Sequence, residues 1–152
     1  MIKRCLIALA VIASGAGVAG SVQAQQKPED VIKYRKAVMT VQGWNMRPLA
    51  LMVKGQQPYD AALFAWYAGV VQSTSFMLPD AFLPGSDKGA ETKAKPEIWS
   101  DAGKFKATVD RFNADAQNLV AATKAGTLDA VKGPFGAVAK NCGGCHKQFR
   151  TD

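Results

Sequence analysis

The sequence predicts an all-α fold, an antiparallel up-and-down four-helix bundle. Three observations carry that reading. Four stretches place apolar side chains at steps of three and four, the spacing that lines one face of a helix. No stretch alternates apolar and polar residues over the length of a strand. Two short connections and one long one join the four stretches, which suits neighbours running in opposite directions.

The chain opens on an address rather than on the fold. Lys3 and Arg4 form a basic start, Leu6 to Ala13 a short apolar run, and Val22-Gln23-Ala24 a cleavage site. Residues 1–24 are therefore expected to be a cleaved secretory signal peptide, and residues 25–152 one domain with a single core. The apolar run is too short and glycine-rich for a convincing membrane span. Cys5 follows Lys3-Arg4 instead of the small apolar residues of a lipoprotein box, so no lipid is expected there. The predicted location is the periplasm, an oxidising compartment.

The first helix is predicted to start at Pro28-Glu29-Asp30, with proline pre-set for the first turn and acids at the positive helix end. Its stripe is Val31, Arg35, Val38, Gln42, Asn45, Leu49 and Val53, with a kink expected at Pro48 and a stop at Gly55. Pro58-Tyr59-Asp60 opens the second, whose stripe is Tyr59, Ala62 and Leu63, Trp66, Val70 and Thr74. Met77 to Lys95 carries Pro79, Pro84, Gly85 and Gly89 and reads as a long loop, of the kind that is usually functional or mobile. The third helix has an unbroken stripe of Ile98, Ala102, Phe105, Val109, Phe112, Ala116, Leu119 and Thr123, capped by Ser100 or Asp101 and ended by Gly126. The fourth runs through Leu128, Val131, Phe135, Val138, Cys142, Cys145 and Phe149, bent near Gly133-Pro134.

Cys142-Gly143-Gly144-Cys145-His146 has the C-x-x-C-H spacing of a c-type haem attachment site. Two thiols one helical turn apart can bond the two vinyl groups of one haem, and the following imidazole can reach the iron. His146 is the only histidine in the chain, which rules out bis-histidine ligation within it. A zinc site would need two further Cys or His ligands, and Cys5 is the only other cysteine. A thioredoxin-like pair would need a βαβ context, and a disulfide across so short a loop is strained. One haem c with its iron, attached to the C-terminal helix, is the expected cofactor. Both cysteines fall on the apolar stripe, so the group should lie against the core.

The haem site at the end of the last helix resembles the class II c-type cytochromes, cytochrome c′ and cytochrome c-556. Lys27-Pro28-Glu29-Asp30, Lys33-Tyr34-Arg35, Val53-Lys54-Gly55, Pro58 to Ala62, Pro96-Glu97-Ile98-Trp99 and Phe149-Arg150 are similar to that family's landmarks. The resemblance implies that Cys142 and Cys145 carry the thioethers and that His146 is the axial iron ligand. It implies pocket roles for Arg35 at the haem edge, Arg150 beyond His146, and Lys95 and Pro96 past the propionates.

Met39, four residues past Arg35 on the same face, takes the position that the family turns toward the open side of the haem. A methionine there can be a sixth ligand, giving low-spin iron suited to electron transfer. It can also merely crowd the iron and leave a site for small uncharged gases, or be a core filler like Met52 and Met77. Met46 lies two turns further along, too far to ligate the same iron. The residues leave ligand and filler open.

The expected function is a periplasmic electron carrier with redox protein partners; the alternative is a five-coordinate protein that binds nitric oxide or carbon monoxide. Neither is an enzyme. Peroxidase-like chemistry would want a distal acid–base group, and the first helix offers Gln42 and Asn45, with Arg35 the only assistant. The formal charge of +7 includes Lys3 and Arg4, and the basic residues are scattered, which favours a protein partner over nucleic acid. The resemblance also implies a homodimer through the first two helices, where Trp44, Trp66 and Tyr67 stand, although Trp66 fits the core on its stripe.

Overall fold

The computed structural model describes residues 26–151, so the expected signal peptide lies outside the described residues. Four long helices, α1 (Pro28–Val53), α2 (Ala61–Ser75), α5 (Ala102–Thr123) and α6 (Leu128–Phe149), form an antiparallel up-and-down bundle. Two single turns, α3 (Leu78–Ala81) and α4 (Glu97–Ser100), interrupt the long connection. Among the described residues there is no strand, only an isolated bridge between Ala94 and Arg150.

Local chemistry sets the helix limits. Pro28 occupies the first turn of α1, with Glu29 and Asp30 against its positive end. At its far end Gln56 N–H donates to Leu51 O (2.9 Å) and Gly55 N–H to Met52 O (3.1 Å), a Schellman closure. Gly55 takes φ 67°, a left-handed conformation that costs glycine nothing. The carboxylate of Asp60 accepts from Leu63 N–H (2.9 Å) and starts α2. Helical backbone continues through Pro48 in α1 and Pro134 in α6.

The stripe read for α1 is buried through Leu49, with Met52 taking the last place instead of Val53. The stripes of α5 and α6 are buried at Phe105, Val109, Phe112, Ala116, Leu119, Val131, Phe135, Val138 and Phe149; Thr123, Leu128, Cys142 and Cys145 are half-buried, and Ala102 is exposed. One helix does not start where the pattern did. Ile98 belongs to α4, and the backbone breaks at Asp101, whose carboxylate accepts from Lys104 N–H (3.3 Å) and caps α5. An acid that satisfies a free amide competes with continuing the helix.

The second stripe is displaced. Phe64, Ala68, Val71, Thr74 and Ser75 are buried, whereas Ala62 is exposed and Trp66 is 60% exposed. Nearly every residue of Ala61–Val71 is apolar, so periodicity alone could not pick the inner face. Trp66 stands outside, edge-on to Tyr67.

α1 packs along α2, α2 along α5 and α5 along α6. Their shared core includes Leu49, Met52, Phe64, Val71, Leu119, Val131 and Val138, all fully buried. α1 and α6 meet in few places, and the space between them is the site.

Candidate functional site

The site begins with two stripes that fail to touch. A cavity of about 860 Å³ separates α1 from α6, within the range of about 300–1,000 Å³ that holds cofactors. Met39, Gln42, Gly43 and Met46 line it from α1, and Phe135, Ala139, Cys142, Cys145 and His146 from α6. Phe82, Ile98, Phe105 and Phe149 add apolar surface, with Phe105 edge-on to both Phe82 and Phe149. A side pocket of about 30 Å³ is lined by Met39 and Gln42 together with Cys142, Cys145 and His146. Met39 and Gln42 therefore stand across from the C-x-x-C-H residues.

Five cations, Arg35, Lys36, Arg47, Lys93 and Arg150, also line the cavity, and no carboxylate does. An apolar interior with cations and no acids fits a flat apolar group bearing carboxylates, as haem is. The donor set fits its iron and its vinyl groups as well. Cys142 and Cys145 lie one turn apart on the last part of α6, both partly buried. Burial pushes the Cys142 thiol up to about 11, aided by the charge that Cys145 would carry. Burial raises Cys145 too, so both are neutral thiols near pH 7. Burial, and then the charge of Arg150, lower the pKa of His146 and favour the neutral imidazole that binds metals.

Arg35 is placed where the sequence put it, but most of its donors serve the long connection. It is 4% exposed. Nη1 donates to Ala81 O (3.3 Å) and Ser86 Oγ (3.1 Å), and Nη2 to Ser86 O (2.9 Å) and Thr92 Oγ1 (2.9 Å). Those bonds use all four terminal N–H groups. The guanidinium also lies over the rings of Phe82 (4.9 Å) and Trp99 (5.7 Å). Trp99 Nε1 donates in turn to the carbonyls of Phe82 and Leu83, both at 3.1 Å. The stretch read as a long loop, of a kind usually functional or mobile, is thus tied to α1 by a buried cation and lines the cavity.

Lys95 and Pro96 are not brought to the cavity; Thr92, Lys93 and Ala94 line it instead. Pairing of Ala94 with Arg150, with Lys95 N–H donating to Phe149 O (2.9 Å), lays residues 92–94 along the opening and carries Lys95 past it. Lys95 Nζ turns to Lys147 O (3.5 Å), and Pro96 becomes the N-cap of α4. Arg150 does line the cavity, next to His146.

The sequence reading offered Gln42, with Asn45, as a polar group of the first helix on the open side of the haem but did not name it among the pocket residues. The Gln42 Nε2 is fully buried with no hydrogen-bond partner among the described residues. Asn45 Oδ1, Tyr59 Oη and Asn113 Oδ1 share that condition but line neither cavity. An unmet buried donor costs about 1–3 kcal/mol. The signal was present in the chain, as one of three polar residues, with Arg35 and Asn45, on the α1 stripe.

The family model described as Cytochrome C' matches residues 30–150. Cytochrome c′ of Rubrivivax gelatinosus is 40% identical over 125 residues, 82% of this chain and 97% of that protein. Its crystal structure superposes with a TM-score of 0.80, covering 83% of this chain and 98% of that one. Two variants of cytochrome c′ from Alcaligenes xylosoxidans, one solved as a nitric oxide complex and one with carbon monoxide bound, superpose with TM-scores of 0.77 at 38% identity. They cover 83% of this chain and 97% and 98% of their own. With fold, cavity and C-x-x-C-H residues all in agreement, the chain belongs to the cytochrome c′ family, the class II c-type cytochromes, and its cofactor is covalently attached haem c with iron.

Proposed function

We propose that the chain binds a small uncharged gas, nitric oxide or carbon monoxide, on the side of its haem opposite His146. The carrying observation is the α1 wall across from His146, which offers Met39 and Gln42 and no histidine or carboxylate. The relatives solved with nitric oxide and carbon monoxide support the same reading. Those gas complexes favour it over the first expectation, an electron carrier with Met39 on the iron; electron transport as such fits the family, whereas the bond from Met39 has no support.

In this reading Cys142 and Cys145 hold the cofactor through thioethers and His146 binds the iron from α6. Ferrous iron supplies the ligand site and electron density for the gas. Arg150, Lys93, Lys36 and Arg47 are the cations from which the propionates would draw their counter-charge, and Arg35 fixes the segment that carries Thr92 and Lys93. Met39 crowds the open side with a flexible thioether, which excludes water and bulky ligands. The role is binding rather than catalysis: the cavity wall lacks a carboxylate, and the terminal donors of Arg35 are engaged elsewhere. Redox proteins remain the proposed partners for reducing the iron, in the periplasm. Exposed Val41 and Trp44 on α1 and Trp66 on α2 give a homodimer its apolar contact.

Visible spectra of the reduced holoprotein with and without carbon monoxide test the proposal. A broad high-spin spectrum that shifts on adding the gas is expected. Sharp, resolved bands indifferent to carbon monoxide would return Met39 to the iron and overturn it.

A further inference from the structure

We propose that the rim of the cavity, with Lys36, Arg47, Lys93 and Arg150, is the docking face for an acidic redox protein that delivers single electrons to the iron. This rests on the proposed role of redox proteins in reducing the iron, and names where they meet the chain and by what chemistry.

Lys36, Thr40, Gly43 and Arg47 follow one another along α1 at steps of four and three, line the cavity and are all exposed. They form one edge of its opening. Lys93 and Arg150, also exposed, bring two more cations from the long connection and the end of α6, where Ala94 pairs with Arg150. Gly43 leaves the α1 edge bare between Lys36 and Arg47. Packing does not demand a glycine there, since a Cβ would meet nothing within 4 Å, and glycine inside a helix is destabilising relative to alanine. A bare edge suits a partner that must come close.

The charge on this rim is unanswered. Ion pairs among the described residues join Lys106 to Asp110 and Lys132 to Asp129, and neither involves a rim cation. No carboxylate lines the cavity among the described residues, and the pair of propionates on a haem cannot answer four exposed cations, so the loaded rim stays positive. A surplus of one sign around an opening focuses the field and draws in the opposite sign. Electron transfer weakens steeply with distance, so a donor must present its redox group at this opening rather than against the packed seams. An anionic lipid layer would answer the charge but carries no electron. In the step itself one electron passes from the reduced partner to ferric iron, leaving the partner oxidised and the iron ferrous.

The test follows reduction of the ferric holoprotein by reduced flavodoxin, an acidic one-electron donor, and by the neutral semiquinone of lumiflavin. At low salt Arg47→Gln/Lys93→Gln should slow reduction by flavodoxin about three- to tenfold and leave the lumiflavin rate unchanged. Lys104→Gln/Lys124→Gln removes the same charge from exposed positions on α5 and at its C-cap, outside the cavity lining, and should slow it by less than about twofold. Where a variant fails to fold, acetylation of the unmodified protein decides, because flavodoxin should shield Lys36 and Lys93 more than Lys104 and Lys124. Equal slowing by both pairs, equal shielding, or equal slowing of the rim variant with lumiflavin would overturn the docking face and leave the redox-partner role intact. Binding to phosphatidylglycerol vesicles that Arg47→Gln/Lys93→Gln abolishes, with flavodoxin reducing both proteins alike, would overturn it in favour of a lipid face. An unmodified protein that lumiflavin reduces and flavodoxin does not would overturn the redox-partner role, and the docking face with it.

Discussion

The two seams of the bundle are built to opposite rules. Between α2 and α5, Phe64, Val71 and Leu119 close over one another in an apolar contact. Between α1 and α6, stripes of the same period stay apart, and five cations, an amide, two thiols and an imidazole line the gap. Identical periodicity therefore yields a core in one place and a binding site in the other. The difference lies in which stripe positions carry polar atoms, and in what pins the walls open.

Breaking the closed seam should cost most. Phe64 is fully buried, and Phe64→Ala should lower unfolding stability by about 3–5 kcal/mol, read by urea denaturation of the haem-loaded protein. The same loss of carbon monoxide affinity would be unexpected, because Phe64 is not a lining residue. Arg35→Met tests what pins the open seam. It leaves Ser86 O and Ala81 O without their donor and should cost roughly 1–3 kcal/mol. Proteolysis between residues 82 and 96 should accelerate more than cleavage elsewhere.

The thiols provide a sharper contrast, between loaded and haem-free protein. In the haem-free chain the folded Cys142 thiol titrates near 11 against an ordinary 9.0. Below pH 9 it is protonated in both states and has no effect. As pH rises through 9 toward 11 the unfolded thiol ionises first, so stability should fall across that window. A thioether cannot ionise, so the loaded protein should not show the loss from this residue. Denaturation midpoints of both forms across pH 8 to 11 measure it. The smallest effect belongs to the outer face. Trp66→Ser should shift the stability of the monomer by no more than about 0.5 kcal/mol, whereas a core tryptophan would cost several times that.

Where polar and apolar residues alternate cleanly around a helix, the sequence told inside from outside. The buried positions of α1, α5 and α6 follow their stripes almost throughout, and the C-x-x-C-H residues face the cavity those stripes leave. α2 was misread because Ala61–Val71 is apolar on nearly every side, so only packing against α1 and α5 could choose Phe64 over Trp66. The work of Arg35 was not legible either. Its acceptors Ala81, Ser86 and Thr92 lie 46 to 57 residues away, and nothing local marks them. Lys95 failed for a related reason, since the pairing of Ala94 with Arg150 decides which lysine meets the opening.

Electron paramagnetic resonance of the oxidised holoprotein, unmodified and as Met39→Leu, tests the central claim that the α1 wall crowds the iron without binding it. High-spin signals from both proteins are expected. A low-spin signal in the unmodified protein that turns high-spin in Met39→Leu would contradict the account and place a thioether bond across the cavity.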